Sequence, residues 1–483
     1  MTNFIPNTGV KTAFNELELT PSIPFIEGTA TYNLIPANFR QFTSGSGTAS
    51  TENRKFKVTT GTSAGGYGAI QSFRSLSHRV GKGITSRFSG YFLTNVANSW
   101  QGIGMISVGD EVSFGYNGTV FGVWHRYNGL PEVRTIEVTG ASGGSTDLTL
   151  TLNSVIYTIP LTSGTVQHNA YEIAAWLNNS SNQSVWTADQ IDDTVIISAL
   201  SDGAKTGSYS FSHATATGTI TQNTAGVTKT SDFVAQANWN GESLTTELDP
   251  SKGNLFQISY QDMGFGSIKY YIMDSTTEVF KNVHTINYPN NYIDLSLPNP
   301  ALRSGMYCVS LGSTTDLSVY AHSFAVYVDG NPNKTRNPRA ISVTQTLTAS
   351  EQNNEITLLT LRNRKTYNYL NNQVTISPLV ITVANESARN FVTRVRAISN
   401  PELEQNFQLA GTNLVGDIDT TKNQYSGGRL LAVEAVSREN SVKINLQELE
   451  VTLPPSLQLI VTGFKTDGGD DDVTVTITWY EDV

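Results

Sequence analysis

Acidic side chains bring this 483-residue chain closest to a metal-binding pattern. Asp467, Asp470, Asp471 and Asp472 lie within six residues of one another, with glycines after the first of them. Ca²⁺ takes about six to eight oxygen ligands, and carboxylates in a glycine-rich turn can supply several of them. The spacing of an EF-hand is absent, and like charges this close also occur at solvated hairpin tips. The run therefore predicts either a calcium site or an exposed turn.

Catalytic patterns are missing from the rest of the sequence. A glycosidase needs two carboxylates about 5–10 Å apart, and the nearest approach is Asp110-Glu111 with Glu132, which we interpret as turn and strand-end residues. No His-Glu-x-x-His or phosphate-loop motif occurs. Metal-ligand spacing is also missing among the six histidines: His78, His125, His168, His213, His284 and His322. We therefore predict that the chain is not an enzyme and needs no cofactor, with calcium as the one ion it could hold.

Aromatic side chains flank a predicted β-hairpin and could stack against a sugar ring. Asn117-Gly118 lies between two alternating runs, and Asn-Gly is typical of a type I′ turn, in which both central residues have positive φ. The alternative is that the rings pack inside the sheet, because alternate residues of a strand must be buried. The candidate glycan-binding residues are Tyr116, Asn117 and Trp124, with Trp100 and Tyr127 beside them.

The composition is typical of a β protein with a neutral polar surface. Charged residues make up 15% of the chain, whereas globular proteins average about 25%. Serine, threonine, asparagine and glycine take their place, and aromatics reach 10%. Such a balance is common in extracellular β proteins and in the appendages of virions.

Charge and cysteine content exclude several classes of protein. The formal net charge is −10 and no basic patch is interleaved with aromatics, so we expect no nucleic-acid binding. No window of about 18 consecutive apolar residues occurs, so we expect no membrane span. Residues 1–20 lack the pattern of a signal peptide, and a single cysteine, Cys308, excludes an internal disulfide framework. These features fit synthesis in a host cytoplasm followed by release inside an assembled particle.

Hydrophobic periodicity divides the chain into four parts and predicts a mainly β fold. Residues 1–50 are expected to form an N-terminal arm or anchor that ends in a flexible Ser/Gly joint. Residues 51–132 and 230–338 predict one β-sandwich or jelly roll, interrupted by a small inserted α+β domain at 133–229. Residues 339–483 predict a C-terminal β-sandwich after a linker rich in proline and asparagine.

Two segments break the strand pattern. In the insertion, apolar residues recur at helical spacing and predict one short helix between hairpins: Ala170, Ile173, Ala174 and Leu177. In the C-terminal part, the polar stretch Glu402–Gly428 predicts a long loop that could serve as a contact arm.

Three stretches of residues 55–338 resemble a domain of phage and large-virus virion proteins that has a concanavalin A-like jelly-roll fold. They are Phe56–Gly68, Phe114–Val123 and Lys252–Lys269. The inserted block is similar to a small domain spread through phage tail and capsid-decoration proteins. The resemblance implies a virion location more than any activity, and it transfers no catalytic residue to this chain.

These observations lead to one main hypothesis and two alternatives. The main hypothesis is a non-enzymatic virion structural protein that decorates a capsid or forms a head or vertex fibre or another appendage, assembled in the host cytoplasm. Its expected partners are the major capsid protein or a neighbouring appendage protein, and further copies of itself, as a trimer by analogy. The first alternative is a lectin-like tail or baseplate protein that binds a host-surface glycan. The second is a glycan-degrading enzyme.

Overall fold

A computed structural model gives the fold of the chain. The structure describes residues 23–31, 33–34, 38–76, 81–179, 182, 184–261, 263–299, 302–329, 338–387, 389–399, 405–411, 413–425, 427–449, 451–466 and 468–482. Most of the predicted linker and residues 1–22 of the predicted arm therefore lie outside the described residues. The described chain forms two compact units, Met1–Gly129 with Thr228–Lys334 and Leu130–Val227 with Thr335–Val483.

Short strands make up most of both units. The first part of the chain forms β1 Ile23–Thr29, β2 Phe39–Ser44, β3 Thr48–Glu52, β4 Lys55–Thr59, β5 Tyr67–Ser72, β6 Gly83–Phe92, β7 Ser99–Ile106, β8 Glu111–Asn117 and β9 Val120–Tyr127. The inserted segment forms β10 Pro131–Gly140, β11 Thr146–Leu152, β12 Val155–Leu161, α1 Val166–Asn178, β13 Trp186–Ile191, β14 Thr194–Asp202, β15 Ser210–Ser212 and β16 Thr217–Thr224.

The remaining strands follow the insertion. The first unit continues with β17 Thr230–Ala235, β18 Asn254–Gln261, β19 Ile268–Met273, β20 Phe280–Ile286, β21 Arg303–Ser310 and β22 Ser318–Val328. The C-terminal part forms β23 Pro338–Leu347, β24 Glu355–Asn363, β25 Thr366–Tyr367, β26 Leu370–Asn371, β27 Thr375–Asn385, β28 Phe391–Ser399, β29 Gln408–Leu409, β30 Gly416–Asp419, β31 Arg429–Val436, β32 Ser441–Asn445, β33 Leu457–Phe464 and β34 Asp471–Asp482.

The first unit is a β-sandwich of two antiparallel sheets, as predicted. One sheet has the order β20-β19-β18-β6-β22-β4-β3, with β1 also paired to β22, and the other has the order β17-β9-β8-β7-β21-β5-β2. Strands far apart in sequence are neighbours in both sheets, which is the crossing pattern of a jelly roll. Alternate residues of each strand point between the sheets and form one aromatic-rich core that includes Phe56, Phe88, Phe114, Phe256 and Tyr270.

The described part of the predicted N-terminal arm belongs to these sheets. β1 pairs with β22, β2 with β5, and β3 with β4. The Ser/Gly stretch predicted to be a flexible joint instead makes the tight turn between β2 and β3, where Gly45 has φ +60 and the Gly47 amide donates to the Ser44 carbonyl. Glycine and serine serve here as turn residues, because a left-handed backbone conformation costs glycine little.

The inserted segment is the predicted α+β domain. The sheets β13-β14-β10-β16 and β12-β11-β15 enclose a core with α1, whose buried face carries the four apolar residues predicted at helical spacing. Thr165 caps the helix by accepting a hydrogen bond from the His168 amide at 3.1 Å. The two ends of the segment meet at an antiparallel bridge between Leu130 and Val227.

The C-terminal part is a second β-sandwich, also as predicted. Its sheets have the orders β23-β34-β27-β32 and β29-β30-β24-β33-β28-β31, and a separate apolar core lies between them. The segment predicted as a long loop, Glu402–Gly428, contains β29 and β30 within its described residues. β30 was hidden in the sequence because two of its four residues, Asp417 and Asp419, are buried acids rather than apolar side chains.

Polar contacts join the inserted domain to the C-terminal sandwich inside the second unit. Asp189 Oδ2 accepts hydrogen bonds from the backbone amides of Lys365 and Thr366 at 2.6 and 3.3 Å. The carbonyl of Gln190 accepts one from Arg362 at 2.8 Å, and its side-chain oxygen accepts one from the Phe407 amide. The inserted domain thus packs against the C-terminal sandwich, which begins about 100 residues later in the chain.

Candidate functional site

The predicted β8–β9 hairpin forms, but its turn differs from the one predicted. Asn117 pairs with Val120, so Gly118 and Thr119 are the two central residues. Gly118 has φ +61, whereas Asn117 and Thr119 have no positive φ. One glycine at the first central position is typical of a type II′ turn rather than the type I′ turn expected from Asn-Gly. The register is shifted by one residue because the strand continues through Asn117.

The aromatic residues predicted beside this hairpin are mainly buried. Tyr116 is 7% exposed and packs in the core against Phe92 and Phe121. Trp124 is 2% exposed on the opposite face of the sheet, with the Phe233 ring 4.6 Å away. Asn117 is exposed and accepts a hydrogen bond from the Trp100 indole at 3.2 Å. Neither Tyr116 nor Trp124 has an open ring face for a sugar.

Arg126 organises the polar cluster around Trp124. Its guanidinium lies 3.8 Å from the Trp124 ring centroid and 4.5 Å from that of Trp100. It also donates to Glu111 Oε2 and to the Tyr307 hydroxyl, each at 2.9 Å. Glu111 Oε1 accepts from Tyr307 at 2.9 Å and from Ser113. Both oxygens of Glu111 accept hydrogen bonds, and Arg126 balances its charge. Glu111 therefore stabilises this face of the sheet.

The acidic run near the C-terminus does not converge on one point. Asp467 lies outside the described residues. Asp470 accepts a hydrogen bond from the Ala349 amide at 3.0 Å, and Asp472 accepts one from the Thr346 hydroxyl at 2.6 Å. Asp471 is buried and forms an ion pair with Lys465 at 3.2 Å. Each of these three carboxylates therefore binds a different partner around β34.

Other chemistry-bearing residues also have structural partners. Glu132 accepts hydrogen bonds from Arg134, Tyr209 and the Lys205 amide inside the inserted domain. Within the described parts of the chain, no group of three or more His, Cys, Asp or Glu side chains could hold a metal ion. No helix among the described residues is long and apolar enough to cross a membrane.

Three tyrosines at the other end of β9 form a group that we call the tyrosine platform: Tyr127, Tyr288 and Tyr292. Tyr292 is 53% exposed and its ring lies 4.6 Å from that of Tyr288, at an interplanar angle of 33°. Tyr288 is buried, and its phenol and that of Tyr127 influence each other's pKa. Tyr127 in turn stacks on His125 at 4.6 Å. An exposed ring is thus supported from below by buried aromatic neighbours.

Buried polar groups fix the loop that carries Tyr292, which the structure describes over residues 287–299. His125 Nε2 donates to the Ser296 carbonyl at 2.7 Å, and burial lowers the pKa of His125, which favours the neutral ring. The amide and hydroxyl of Ser296 both donate to the Gly264 carbonyl, at 2.6 and 3.0 Å. Asp110 accepts a hydrogen bond from the Asn299 amide at 3.2 Å. The loop is therefore tied to β9, to the β18–β19 loop and to the β7–β8 turn.

Exposed apolar side chains lie on the loop that carries Tyr292 and on the β18–β19 loop to which it is tied. Ile293 is 93% exposed, and Leu295 packs near Gly264 while remaining exposed. Met263 and Phe265 flank Gly264 and are exposed as well. Neighbouring exposed apolar groups on a fixed loop are typical of a binding surface rather than of ordinary solvent-facing protein.

The carboxylates of Asp232 and Asp294 make the surroundings of the tyrosine platform negatively charged. Burial raises the pKa of Tyr127, and the nearby charges of Asp232 and Asp294 raise it further. Burial likewise raises the pKa of Tyr288, with a contribution from Asp232. The phenols of Tyr127 and Tyr288 therefore stay protonated at neutral pH.

Asp110, which holds this loop through the Asn299 amide, is expected to make the stability of the first unit depend on pH. Burial raises the pKa of Asp110 to about 7, above the value of about 3.9 expected in the unfolded chain. The folded state therefore binds the proton of Asp110 more tightly than the unfolded state does. The contribution of Asp110 to the free energy of unfolding is complete below about pH 4 and is lost as pH rises through about 7. We expect the unfolding free energy to fall by at most about 1.4 kcal/mol per pH unit in this window.

The Asp110→Asn variant isolates this effect, because the amide keeps the shape of the carboxyl group but does not titrate. Denaturant unfolding of both proteins between pH 4 and 8 should give a shallower pH dependence for Asp110→Asn. Equal slopes for the two proteins would contradict the assignment.

Of the tyrosine platform, Tyr127 was among the aromatic residues named beside the predicted hairpin, whereas Tyr288 and Tyr292 were not predicted. The sequence signal of these two is Tyr288-Pro289-Asn290-Asn291-Tyr292, two tyrosines among turn-forming residues. Loops held by a rigid scaffold often carry binding residues, which makes an exposed loop tyrosine such as Tyr292 a candidate. The support from His125 depends on contacts across more than 160 residues and could not be read from the sequence.

Comparison with known proteins gives only distant likeness in structure. No protein-family model and no curated protein sequence matches the chain. A structure from a study of endo-acting O-glycanases of the human gut microbiota is 10% identical, covers 64% of this chain and 100% of its own, and has a TM-score of 0.29.

Two lectin structures are similarly distant. The carbohydrate recognition domain of Emp47p is 9% identical, with coverages of 64% and 96% and a TM-score of 0.25. The lectin from Bauhinia forficata in complex with GalNAc is 9% identical, with coverages of 64% and 98% and a TM-score of 0.22. At such scores the strand order of the chain itself, rather than the likeness, establishes the fold.

Proposed function

We propose that this chain is a non-enzymatic glycan-binding protein whose binding site is the tyrosine platform. The observation that carries the proposal is the half-exposed Tyr292 ring packed against the buried Tyr288 ring, with 4.6 Å between the ring centroids. An aromatic face that is open to solvent and rigid beneath can stack against the apolar face of a pyranose ring. The ligand then loses little affinity to ordering of the protein, because the platform is already in place.

The surroundings of Tyr292 supply the polar contacts that a sugar needs. Phenol hydroxyls can donate to sugar oxygens and can accept from sugar hydroxyls. Apolar neighbours such as Ile293 and Phe265 would exclude water around the stacked ring. This mixture of one aromatic anchor, apolar surroundings and a few polar groups is usual for small-ligand sites.

Binding is favoured over catalysis by the state of the carboxylates in the first unit. Glu111 is ion-paired with Arg126, and its other oxygen accepts hydrogen bonds from Ser113 and Tyr307. Asp110 is occupied by the backbone amides of Asn128 and Asn299. Glycoside hydrolysis needs two carboxylates in defined roles, and neither of these is placed to share a substrate with another acid.

The virion location stays a prediction from the sequence. On a virion, a glycan-binding protein of this kind would serve attachment to a host surface, which is the lectin-like alternative set out above. The fold is equally compatible with a location outside any virus.

Replacing Tyr292 by alanine should reduce affinity for glycans at least about tenfold, because a central aromatic anchor often contributes 2 kcal/mol or more. Glycans selected on an array with the full chain would be measured by isothermal titration calorimetry. Tyr292→Phe should bind almost as well as the wild type, since it keeps the ring. Tyr369→Ala removes a similarly exposed tyrosine from the second unit and serves as the control. Equal binding by wild type and Tyr292→Ala would overturn the proposal.

A further inference from the structure

The charges beside the tyrosine platform have one sign. Asp232 lies on β17 directly opposite His125 of β9, so the two side chains project from the same face of the sheet. Asp294 lies two residues after Tyr292 in the same loop and is exposed. Both carboxylates act on Tyr127 through space. A ligand that lies on Tyr292 therefore has two negative groups within reach.

No cation offsets these charges in the part of the chain that the structure describes. The ion pairs of the first unit involve other acids, such as Lys281 with Asp274 and Arg126 with Glu111. His125 donates its Nε2 proton to a backbone carbonyl and is neutral. The chain as a whole carries a net charge of −10, which adds to the local negative potential.

We propose that the tyrosine platform prefers sugars that carry a protonated amine, such as oligomers of glucosamine, over neutral or acidic sugars. This inference rests on the proposed function and adds the class of ligand. The sugar ring would stack on Tyr292, and its ammonium group would lie near the carboxylates of Asp232 and Asp294. A uronic or sialic acid would place a third negative charge there, which disfavours its binding.

Matched oligosaccharides test the preference. Fully deacetylated glucosamine oligomers and N-acetylglucosamine oligomers of equal length differ in charge but share the same ring. Calorimetry at pH 5.5 and low salt would compare them on wild type and on the Asp232→Asn, Asp294→Asn double variant. Exposed charge pairs contribute about 0.2–1 kcal/mol each, so the double variant should lose about two- to thirty-fold in affinity for the glucosamine oligomer. Its affinity for the N-acetylated oligomer should not change.

Each outcome decides between the two proposals. Loss confined to the charged oligomer, and removed by 0.5 M salt, supports the preference, because salt screens exposed charges. Equal affinity of both oligomers, unaffected by the Asp substitutions, overturns the preference and leaves glycan binding standing. Tighter binding of oligogalacturonate than of either oligomer also overturns it. Binding of no oligosaccharide, on this panel or on the array, would remove the proposed function as well.

Discussion

Replacing Asp417 with alanine is expected to lower the free energy of unfolding of the second unit by about 3–5 kcal/mol. Asp417 is fully buried and holds Arg362 through two hydrogen bonds, at 3.0 and 2.6 Å. Arg362 also lies 3.6 Å from the Phe407 ring centroid and reaches the Gln190 carbonyl of the inserted domain. Removing the carboxylate would leave a guanidinium buried at this junction without its counter-charge, which is the costly case for an ion pair.

A double substitution separates loss of the pair from loss of packing. Arg362→Met with Asp417→Leu removes both charges and keeps similar volume, so it should recover most of the lost stability. Denaturant unfolding followed by hydrogen exchange of the second unit would measure both variants. A double variant as unstable as Asp417→Ala would show that the site depends on shape rather than on charge.

Replacing residues 134–228 by a short Gly/Ser linker is expected to leave the jelly roll folded and to destabilise the C-terminal sandwich. The first half follows from the bridge between Leu130 and Val227, which brings the ends of the insertion together. The second half follows from the contacts of Asp189, Gln190 and Asp192 with the sandwich. At about 1 kcal/mol for each hydrogen bond, loss of several of these contacts would lower its stability by about 5 kcal/mol.

Hydrogen exchange with mass spectrometry can follow the two parts of the deletion variant separately. Protection should persist in β4–β9 and β17–β22 and decrease in β24 and β30. Asp189→Ala in the full chain should decrease protection in β24 to a smaller extent. Unchanged protection of the C-terminal sandwich would show that the insertion contributes nothing to it, and an unfolded jelly roll would show that the two are inseparable.

Local patterns explain why much of the fold was predictable. Ala170, Ile173, Ala174 and Leu177 specify α1, because an apolar face with helical period must be buried whatever it packs against. Alternation along Glu111–Asn117 likewise predicted β8. Local signals of this kind predicted four features that the structure confirms: the mainly β fold class, the jelly-roll sandwich, the inserted α+β domain and the C-terminal sandwich.

Features that depend on distant partners were not predictable. Gly416–Asp419 forms a strand because Arg362, more than 50 residues earlier in the chain, neutralises the buried Asp417. No apolar pattern in the sequence predicts this strand. Residues 39–50 were predicted as arm and joint, because their polar composition gives no sign of the strands that pair with them. Trp124 was predicted either to stack against a sugar or to pack in the sheet, and Arg126 and Phe233 cover its ring. The candidate site at Tyr292 likewise depends on support from His125 and Tyr288.

The most direct test of glycan binding at the tyrosine platform is ¹⁹F NMR of the chain labelled with 3-fluorotyrosine. The resonance of Tyr292 can be assigned from its absence in the Tyr292→Phe variant. Titration with an array-selected glycan should shift this resonance saturably and leave that of Tyr369 unmoved, because only the platform would contact the sugar. A glycan that binds without perturbing the Tyr292 resonance would contradict the account and place the binding site elsewhere on the molecule.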